Sequence, residues 1–406
     1  MEQASATVFP NNSAPIIDLA PACMIPPKDG ASRRIWNLYE VITLHNTHTV
    51  LVSQNYLFRG RTEVVPLRSF SFWEKHKSLS ALAALLTGKD YWQTRLMAEA
   101  HLTPRLLEAP SHEPGAIIAN FMYSVPLLHF WKGVVTKLIV DTHNFDADFY
   151  GSLMANTRNP AKRELCKRAI RLSDRILTEL PPDTVMIHVS EDDRNSWCKK
   201  RPDLHHHVVE NGCSIRPRKN VPDYNSRKKR LIFVGSLSVQ MNLTALEYFA
   251  SVFWPALEGS CEMMVVGSNP SPKLYRLCQK LQWCLHPNVP DDELETLYGQ
   301  SHFAILPFTS GAGSKLKLLE ACGRGIPVLS TSAGAVGTKN LPPLVFVHDD
   351  PRAWRNVISE TQWLNPDHVA LSLEYASQFS WEKLGAKYFQ ILAEAPITTI
   401  PSVRIG

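Results

Sequence analysis

TSGAGSKLKLLEACGRGIPVLST, residues 309–331, places a loop of small residues ahead of an apolar helix and ends in a β-rich run. The run before it, HFAILPF at 302–308, is also β-rich, so the order is strand, loop, helix, strand. That order is the repeating unit of a parallel α/β sheet. Small residues at Gly311 and Gly313, with Ser314, let a backbone approach a ligand closely, and free amides at a helix start attract an anion. Lys315 adds a point charge where a phosphate would sit. The glycine–lysine spacing is not that of a P-loop. A strand-to-helix loop with glycines also reads as a plain connection. Glu320 lies among Leu318, Leu319 and Ala321. Buried, it would need partners such as sugar or ribose hydroxyls; facing water, it would be an ordinary surface glutamate.

Outward from this stretch, short β-rich runs alternate with helical patterns. PIIDL, HTVLVS, GAIIAN, KLIVD and VMIHVS occupy the first half, and RLIFVG, EMMVVG, QWCLH, FAILPF, IPVLS and LVFV the second. Apolar runs without strict alternation predict strands buried on both faces. Leu165, Ala169, Leu172, Ile176 and Leu180 follow helical spacing. The chain is therefore expected to be α/β, with parallel sheets covered by helices. The alternation pauses at CSIRPRKNVPDYNSRKKR, residues 213–230, which is polar, basic and without apolar period. It predicts a linker between two doubly wound halves, which would face across a cleft at the carboxyl ends of their strands.

Of the 406 residues 44% are apolar and 20% charged, the balance of a globular protein with real cores. No apolar run reaches the ~18 residues of a spanning helix, and the N-terminus has no basic start with an apolar signal core. The eight cysteines are scattered, favouring reduced thiols and a cytoplasmic setting over a disulfide framework. A net charge of +5 suits an anionic ligand and gives no ground to expect nucleic acid.

DTHNFDAD at 141–148 gathers His143, Asn144 and three carboxylates after the strand KLIV. It reads as a site at a strand's carboxyl end, or as Asp and Asn capping the next helix. Neither HHH at 205–207 nor Cys278, Cys284 and His286 matches a zinc spacing, so no metal is expected. RKKR at 227–230 reads as a solvated charge run. Lys162, Arg163, Lys167, Arg168, Arg171 and Arg175 give one helix a basic side that could touch an anionic membrane. The segment 70–114, rich in Trp, Tyr, His and Leu, could line an acceptor pocket or pack as helices.

In order along the chain, these pieces resemble the retaining glycosyltransferases of family 4, which have the GT-B fold. PPKDGASRRIWNLYEVI is similar to that family's glycine-containing loop and arginine-bearing helix, and LIVDTHNFDADFY to its strand ending in Asp-x-His-Asn. HVSEDDR, VVENGCSI and LIFVGSLSVQMNLTAL resemble the segments that lead into the nucleotide domain. SGAGSKLKLLEACGRGIPVLSTSAGAVG is similar to the donor-binding signature in a glycine-rich variant, and FSWEKL to the start of the final helix.

The resemblance implies a lead over 1–15, an acceptor-side Rossmann-like domain over 16–212, the linker 213–230, a nucleotide-sugar domain over 231–378, and a helix crossing back with a tail over 379–406. It implies a donor, a UDP- or GDP-sugar, held by Gly235, Ser236, Val289, Gly311, Gly313, Ser314, Lys315, Leu316 and Glu320, with no further cofactor and no metal. Lys315 would meet the diphosphate, Glu320 the ribose, and His143 the transferred sugar. Gly30, Ala31 and Arg34 would form a loop over donor and acceptor, with Asn144 beside them. The acceptor is left open among a glycan, a lipid-linked intermediate, a small natural product and a protein. Two departures stand out: Ala312 occupies the place of the motif's first glutamate, and the first strand of the nucleotide domain lacks the usual cationic pair. A sugar-nucleotide epimerase or hydrolase of the same fold, and a non-catalytic nucleotide-sugar-binding subunit, are the competing readings.

Overall fold

The structure, a computed structural model, describes residues 14–400 except 22, 24, 26, 28, 54–55, 62, 67–76, 93, 95–113, 156 and 310–314. The lead expected over 1–15 thus falls, through residue 13, outside the described residues. The chain divides into two compact units, one of Met1–Glu210 with Leu384–Gly406, the other of Asn211–Lys383.

The first unit is built on a sheet of β1 (Ile16–Leu19), β2 (Val50–Val52), β3 (Tyr56–Arg59), β4 (Glu63–Pro66), β5 (Ala116–Asn120), β6 (Val135–Asp141), β7 (Val185–His188) and β8 (His205–Val208). Their order across the sheet is β4-β3-β2-β1-β5-β6-β7-β8. From β2 to β8 every pairing is parallel, with Ile17 opposite Ile117 and Ile118 opposite Ile139. All residues of β1, β5 and β7 are buried, which is why these runs are predominantly apolar, their polar exceptions being Asp18, Asn120 and His188. Its helices are α1 (Gly30–His45), α2 (Lys77–Thr87), α3 (Asp146–Ala155), α4 (Pro160–Glu179) and α5 (Glu191–Lys200).

Strands β3, β4 and β8 were not among the expected ones. β3 and β4 extend the sheet as an antiparallel edge, and β8 is the His205–His207 run with one buried apolar residue, Val208. Edge strands need no apolar run on both faces, so the periodicity that found the central strands misses them.

In the second unit β9 (Lys229–Val234), β10 (Cys261–Gly267), β11 (Cys284–Pro287), β12 (Phe303–Leu306), β13 (Val328–Ser330) and β14 (Val345–Val347) form a fully parallel sheet. Its order is β11-β10-β9-β12-β13-β14, the 3-2-1-4-5-6 arrangement of a dinucleotide-binding fold. The helices that follow are α6 (Gln240–Tyr248), α7 (Trp254–Leu257), α8 (Pro272–Leu281), α9 (Asp291–Gln300), α10 (Lys315–Cys322), α11 (Pro351–Glu360), α12 (Pro366–Ser377) and α13 (Trp381–Glu394). A π-helical turn at Phe249–Phe253 joins α6 to α7. Phe249, Phe253, Trp254, Trp283 and Trp354 pack together in the core.

The segment 213–230 is bound to this second unit. Arg216 N donates to Gly323 O at 2.9 Å, Arg218 Nη1 to Ser301 O at 2.7 Å, and the Tyr224 hydroxyl to His302 O at 2.6 Å. Lys229 and Arg230, the end of RKKR, open β9. The polar composition that suggested a free connection serves hydrogen bonds along the unit's surface. From Leu384 onward α13 belongs to the first unit, where β15 (Ile397–Thr399) pairs antiparallel with the start of β6.

Candidate functional site

In the second unit the sheet reverses its winding between β9 and β12, the position at which open α/β sheets bind ligands. Gly235 follows β9 and Gly267 ends β10, where the two backbones meet. Gly235 N donates to Val266 O at 3.1 Å, and Leu237 N to Ser268 O at 2.8 Å. A Cβ on Gly267 would stand 1.7 Å from Gly235 O, so no other residue fits. The β11 end joins them through Asn288 N, which donates to Gly267 O at 2.9 Å, with Asn288 Oδ1 accepting from Asn269 N at 3.0 Å. Val289 follows, partly buried against the core. Ser236 O accepts from Asn242 Nδ2 on α6 at 2.8 Å.

On the β12 side, Gly311, Ala312, Gly313 and Ser314 lie outside the described residues; Lys315 opens α10, and its side chain is likewise outside them. Leu318 and Leu319 are fully buried, whereas Leu316 and Glu320 are partly exposed. Among the described side chains, Lys317 is a cation at the switch point. Its Cε lies 3.0 Å from where a Cβ on Gly235 would be, and its Nζ lies 5.3 Å from the centre of the Phe308 ring. The resemblance gave the charge to Lys315 alone; the signal for Lys317 was its place two residues further along the same apolar helix. Glu320 O accepts from Arg324 Nη1 at 2.7 Å. The Cys213 thiol is pushed up to about 12 by burial and then by the Glu320 charge.

In the first unit β1 has β2 on one side and β5 on the other, so its switch point lies between β1 and β5. There the carboxyl ends of β1, β5 and β6 carry Asp18, Asn120 and Asp141 with the following His143. Asn120 Nδ2 donates to Asp18 Oδ1 at 2.6 Å and to Leu19 O at 3.3 Å, while Asn120 Oδ1 stands 3.0 Å from His143 Nε2. Asp141 Oδ1 is 3.8 Å from the same nitrogen. The Phe121 ring stacks on the imidazole with 4.0 Å between centres, and Tyr123 and Trp92 continue the stack at 4.9 and 4.5 Å. Phe121 (φ 66°) and His143 (φ 59°) both take left-handed backbone, a strained conformation for residues with a Cβ and one that gathers at functional sites. Burial, reinforced by the Arg34 charge and opposed by Asp141 and Asp29, lowers the His143 imidazole to about 4. Burial and the Asp141 charge raise the Asp18 carboxyl to about 8, against the hydrogen bond from Asn120.

The glycine-loop expectation is corrected here. Gly30, Ala31 and Arg34 are helical, with Gly30 the first residue of α1. Asp29 caps the helix: its Oδ1 accepts from Ser32 N at 2.8 Å, and Ser32 Oγ accepts from Asp29 N at 3.2 Å. Arg34 is fully buried, with Nε and Nη2 at 3.1 and 3.0 Å from Asp141 Oδ2 and Nη1 donating to Glu210 O at 2.9 Å. It neutralises a buried carboxylate beneath His143. Asn144, partly buried, accepts at its carbonyl from Trp197 Nε1 at 3.1 Å.

A second buried chain runs beside it. Thr142 Oγ1 is 3.1 Å from His188 Nδ1, His188 Nε2 is 2.8 Å from His206 Nδ1, and His206 Nε2 donates to Arg201 O at 2.8 Å. His206 therefore supports a strand end. Among the described residues no group of three or more His, Cys, Asp or Glu is arranged around a metal position, and no helix is long and apolar enough to cross a membrane.

Residues 228–361, most of the second unit, match the family model "Glycosyl transferases group 1". An uncharacterized 44.6 kDa protein in the cps region of Klebsiella pneumoniae is 27% identical over 148 residues, 32% of this chain and 36% of its own length. The match thus spans about a third of that relative. Among solved structures, WaaG, a glycosyltransferase involved in lipopolysaccharide biosynthesis, superposes with a TM-score of 0.60 at 15% identity, over 93% of this chain and all of its own. A trehalose-6-phosphate protein of E. coli bound with UDP-2-fluoro glucose gives 0.61 at 11% identity, over 95% and 100%. Anabaena Alr3699/HepE in complex with UDP-glucose gives 0.58 at 13%, over 94% and 99%. The chain has the GT-B fold, and within it residues 228–361 are similar to the glycosyl transferases group 1 family.

Proposed function

We propose that the protein is a retaining glycosyltransferase that moves a sugar from a nucleotide-sugar donor to an acceptor hydroxyl without a metal. The observation that carries this reading is the β9/β12 switch point. There the Gly235 backbone, Ser236, Lys317 and the start of α10 come together inside the segment that matches the family model. Amides at a helix start and a lysine are the groups that stabilise a leaving diphosphate. Lys315 and Lys317 supply the positive charge, Gly235, Gly311, Gly313 and Ser314 let the phosphates approach, and Leu316 and Val289 flank them. Glu320 binds the ribose hydroxyls. The acceptor hydroxyl attacks on the face from which the nucleoside diphosphate departs, and the departing phosphate takes its proton. His143 contacts the transferred sugar.

UDP-glucose is the first donor to test, because two proteins of similar fold are complexed with it or its 2-fluoro analogue. Purified protein incubated with radiolabelled UDP- and GDP-sugars should release nucleoside diphosphate, slowly without acceptor and faster with one. Absence of any release with every donor would overturn the reading. Binding without release would favour a nucleotide-sugar-binding subunit, which Ala312 in place of a motif glutamate independently suggests; epimer formation would favour an isomerase.

We further propose a cytoplasmic protein with peripheral membrane contact through the first unit. Leu79, Leu82 and Leu86 are 51, 52 and 78% exposed along one face of α2, while Ser80 and Ala84 on its other face are buried. Exposed Lys162, Arg163, Lys167, Arg171 and Arg175 run along α4, which is tied to α2 by Arg168 Nη1 donating to Ala84 O at 2.8 Å. An apolar ridge beside a basic one suits an anionic bilayer surface. The lipid-linked acceptor is then the acceptor class to try first.

A further inference from the structure

We infer that Asn120, backed by β1, is a positioning residue that fixes His143 in its Nε2–H tautomer and leaves Nδ1 as the acceptor for a sugar hydroxyl. The inference rests on the transferase reading for the identity of the hydroxyl, but not for the tautomer. Leu19 O, 3.3 Å from Asn120 Nδ2, is a carbonyl and can only accept, and Asp18 Oδ1 lies 2.6 Å from the same nitrogen. The amino group of Asn120 must therefore face β1, whatever the protonation of Asp18. Its Oδ1, an acceptor, is left facing His143 Nε2 at 3.0 Å. A ring nitrogen held against an acceptor carries the proton. Asp141 Oδ1, 3.8 Å from that nitrogen, adds a second acceptor on the same side.

The other nitrogen then carries a lone pair, and Nδ1 has no hydrogen-bond partner among the described residues. The ring cannot turn to exchange its nitrogens without losing the Asn120 bond and the Phe121 stack at 4.0 Å. Nor does it gain a second proton readily, since burial and Arg34 oppose the charge more than Asp141 and Asp29 favour it. His143 is thus neither acid nor base near neutrality. It receives a hydroxyl hydrogen at Nδ1, which a charged or flipped imidazole could not do. The charged and titratable groups that act on it are Asp141, Arg34 and Asp29, with Asp18 behind Asn120.

The test is nitrogen-15 NMR of the full chain labelled at histidine, with the His143 signals identified by their loss in H143Q or H143N. In the wild type the ring should show the Nε2–H tautomer from pH 8 to pH 5.5. N120A should give a mixture of tautomers, and N120D, which sets a carboxylate against Nε2, a doubly protonated ring at neutral pH. With a turned-over donor, N120D should lose roughly tenfold in kcat/KM as pH falls from 8 to 6, the cost of one hydrogen bond, while the wild type stays flat. An Nδ1–H or doubly protonated ring in the wild type, or N120D with the wild-type tautomer and pH profile, would overturn the inference. Failure to find a donor would sink the transferase reading and leave the tautomer result standing.

Discussion

Gly267 approaches Gly235 so closely that a Cβ on the first would stand 1.7 Å from the carbonyl oxygen of the second. The two residues end neighbouring strands at the switch point, so their contact sets the floor on which a diphosphate would rest. G267A should push the strand ends apart, costing ~1–3 kcal/mol of stability as an overpacked site does, and should weaken nucleotide binding as well. Gly259 is the control: a Cβ there meets nothing within 4 Å, and G259A should change stability by no more than ~0.5 kcal/mol. Thermal unfolding and calorimetric titration of UDP on both variants check this. Equal behaviour of the two would show that the strand ends can separate freely.

Lys317 is placed beside Gly235 and Phe308, and the β9 loop holds no Arg or Lys between Gly235 and Gln240. If it meets the diphosphate, K317A should weaken UDP binding by ~10–100-fold, the range of a hydrogen bond to a charged group, and K317R should restore part of it. Uridine, which has no phosphate, should bind both forms alike. Lys315→Ala should act in the same direction, and Glu320→Ala should instead reduce the preference for UDP over 2′-deoxy-UDP. A K317A protein with unchanged UDP affinity would return the whole charge to Lys315.

The central strands were legible because both their faces are buried: PIIDL, GAIIAN, VMIHVS and FAILPF are predominantly apolar without strict alternation, and β1, β5, β7 and β12 are buried throughout. The edge strands of the first unit escaped for the complementary reason, β8 most of all, since a His-His-His run carries no strand signal until His188 and Arg201 are brought to His206 by the fold. His143 was readable from its place after KLIV. Its partners were not, because Asn120 and Asp18 are distant in sequence and meet only through the parallel register of β1, β5 and β6. Arg34, which the resemblance placed beside donor and acceptor, is buried by α1 against Asp141, 107 residues away, a partner that only the fold brings to it.

The buried titratable groups of the first unit give its stability a particular pH dependence. His143 and His188 titrate at about 4 and about 3 when folded, below the ordinary 6.5, so the unfolded chain binds more protons and stability rises with pH up to 6.5. Asp18 and Asp146 titrate at about 8 and about 7 when folded, above the ordinary 3.8, so the folded chain binds more protons and stability falls as pH rises to 8. Below pH 6.5 the two trends oppose one another. Between 6.5 and 8 only the aspartates act, and stability should fall by on the order of 1–2 kcal/mol. D18N, which keeps an acceptor for Asn120, should remove part of that fall. Denaturant titrations at pH 6.5, 7.2 and 8 measure it; an identical slope in D18N would mean that Asp18 is ionised throughout.

Membrane contact by the first unit divides into an apolar part and a charged part that can be removed separately. Leu82 and Leu86 project from α2, so L82S/L86S removes two buried-on-binding side chains, each worth ~1.5–3 kcal/mol if fully withdrawn from water. Lys167 and Arg171 lie exposed on α4, and K167E/R171E reverses charge that would be worth ~1 kcal/mol per residue near an anionic surface. On vesicles with anionic lipid the wild type should cosediment, more weakly as salt rises, and both double variants should lose at least tenfold in partition. On neutral vesicles the charge variant should match the wild type while the leucine variant still binds less. Cosedimentation that ignores both changes would place any membrane contact elsewhere on the molecule.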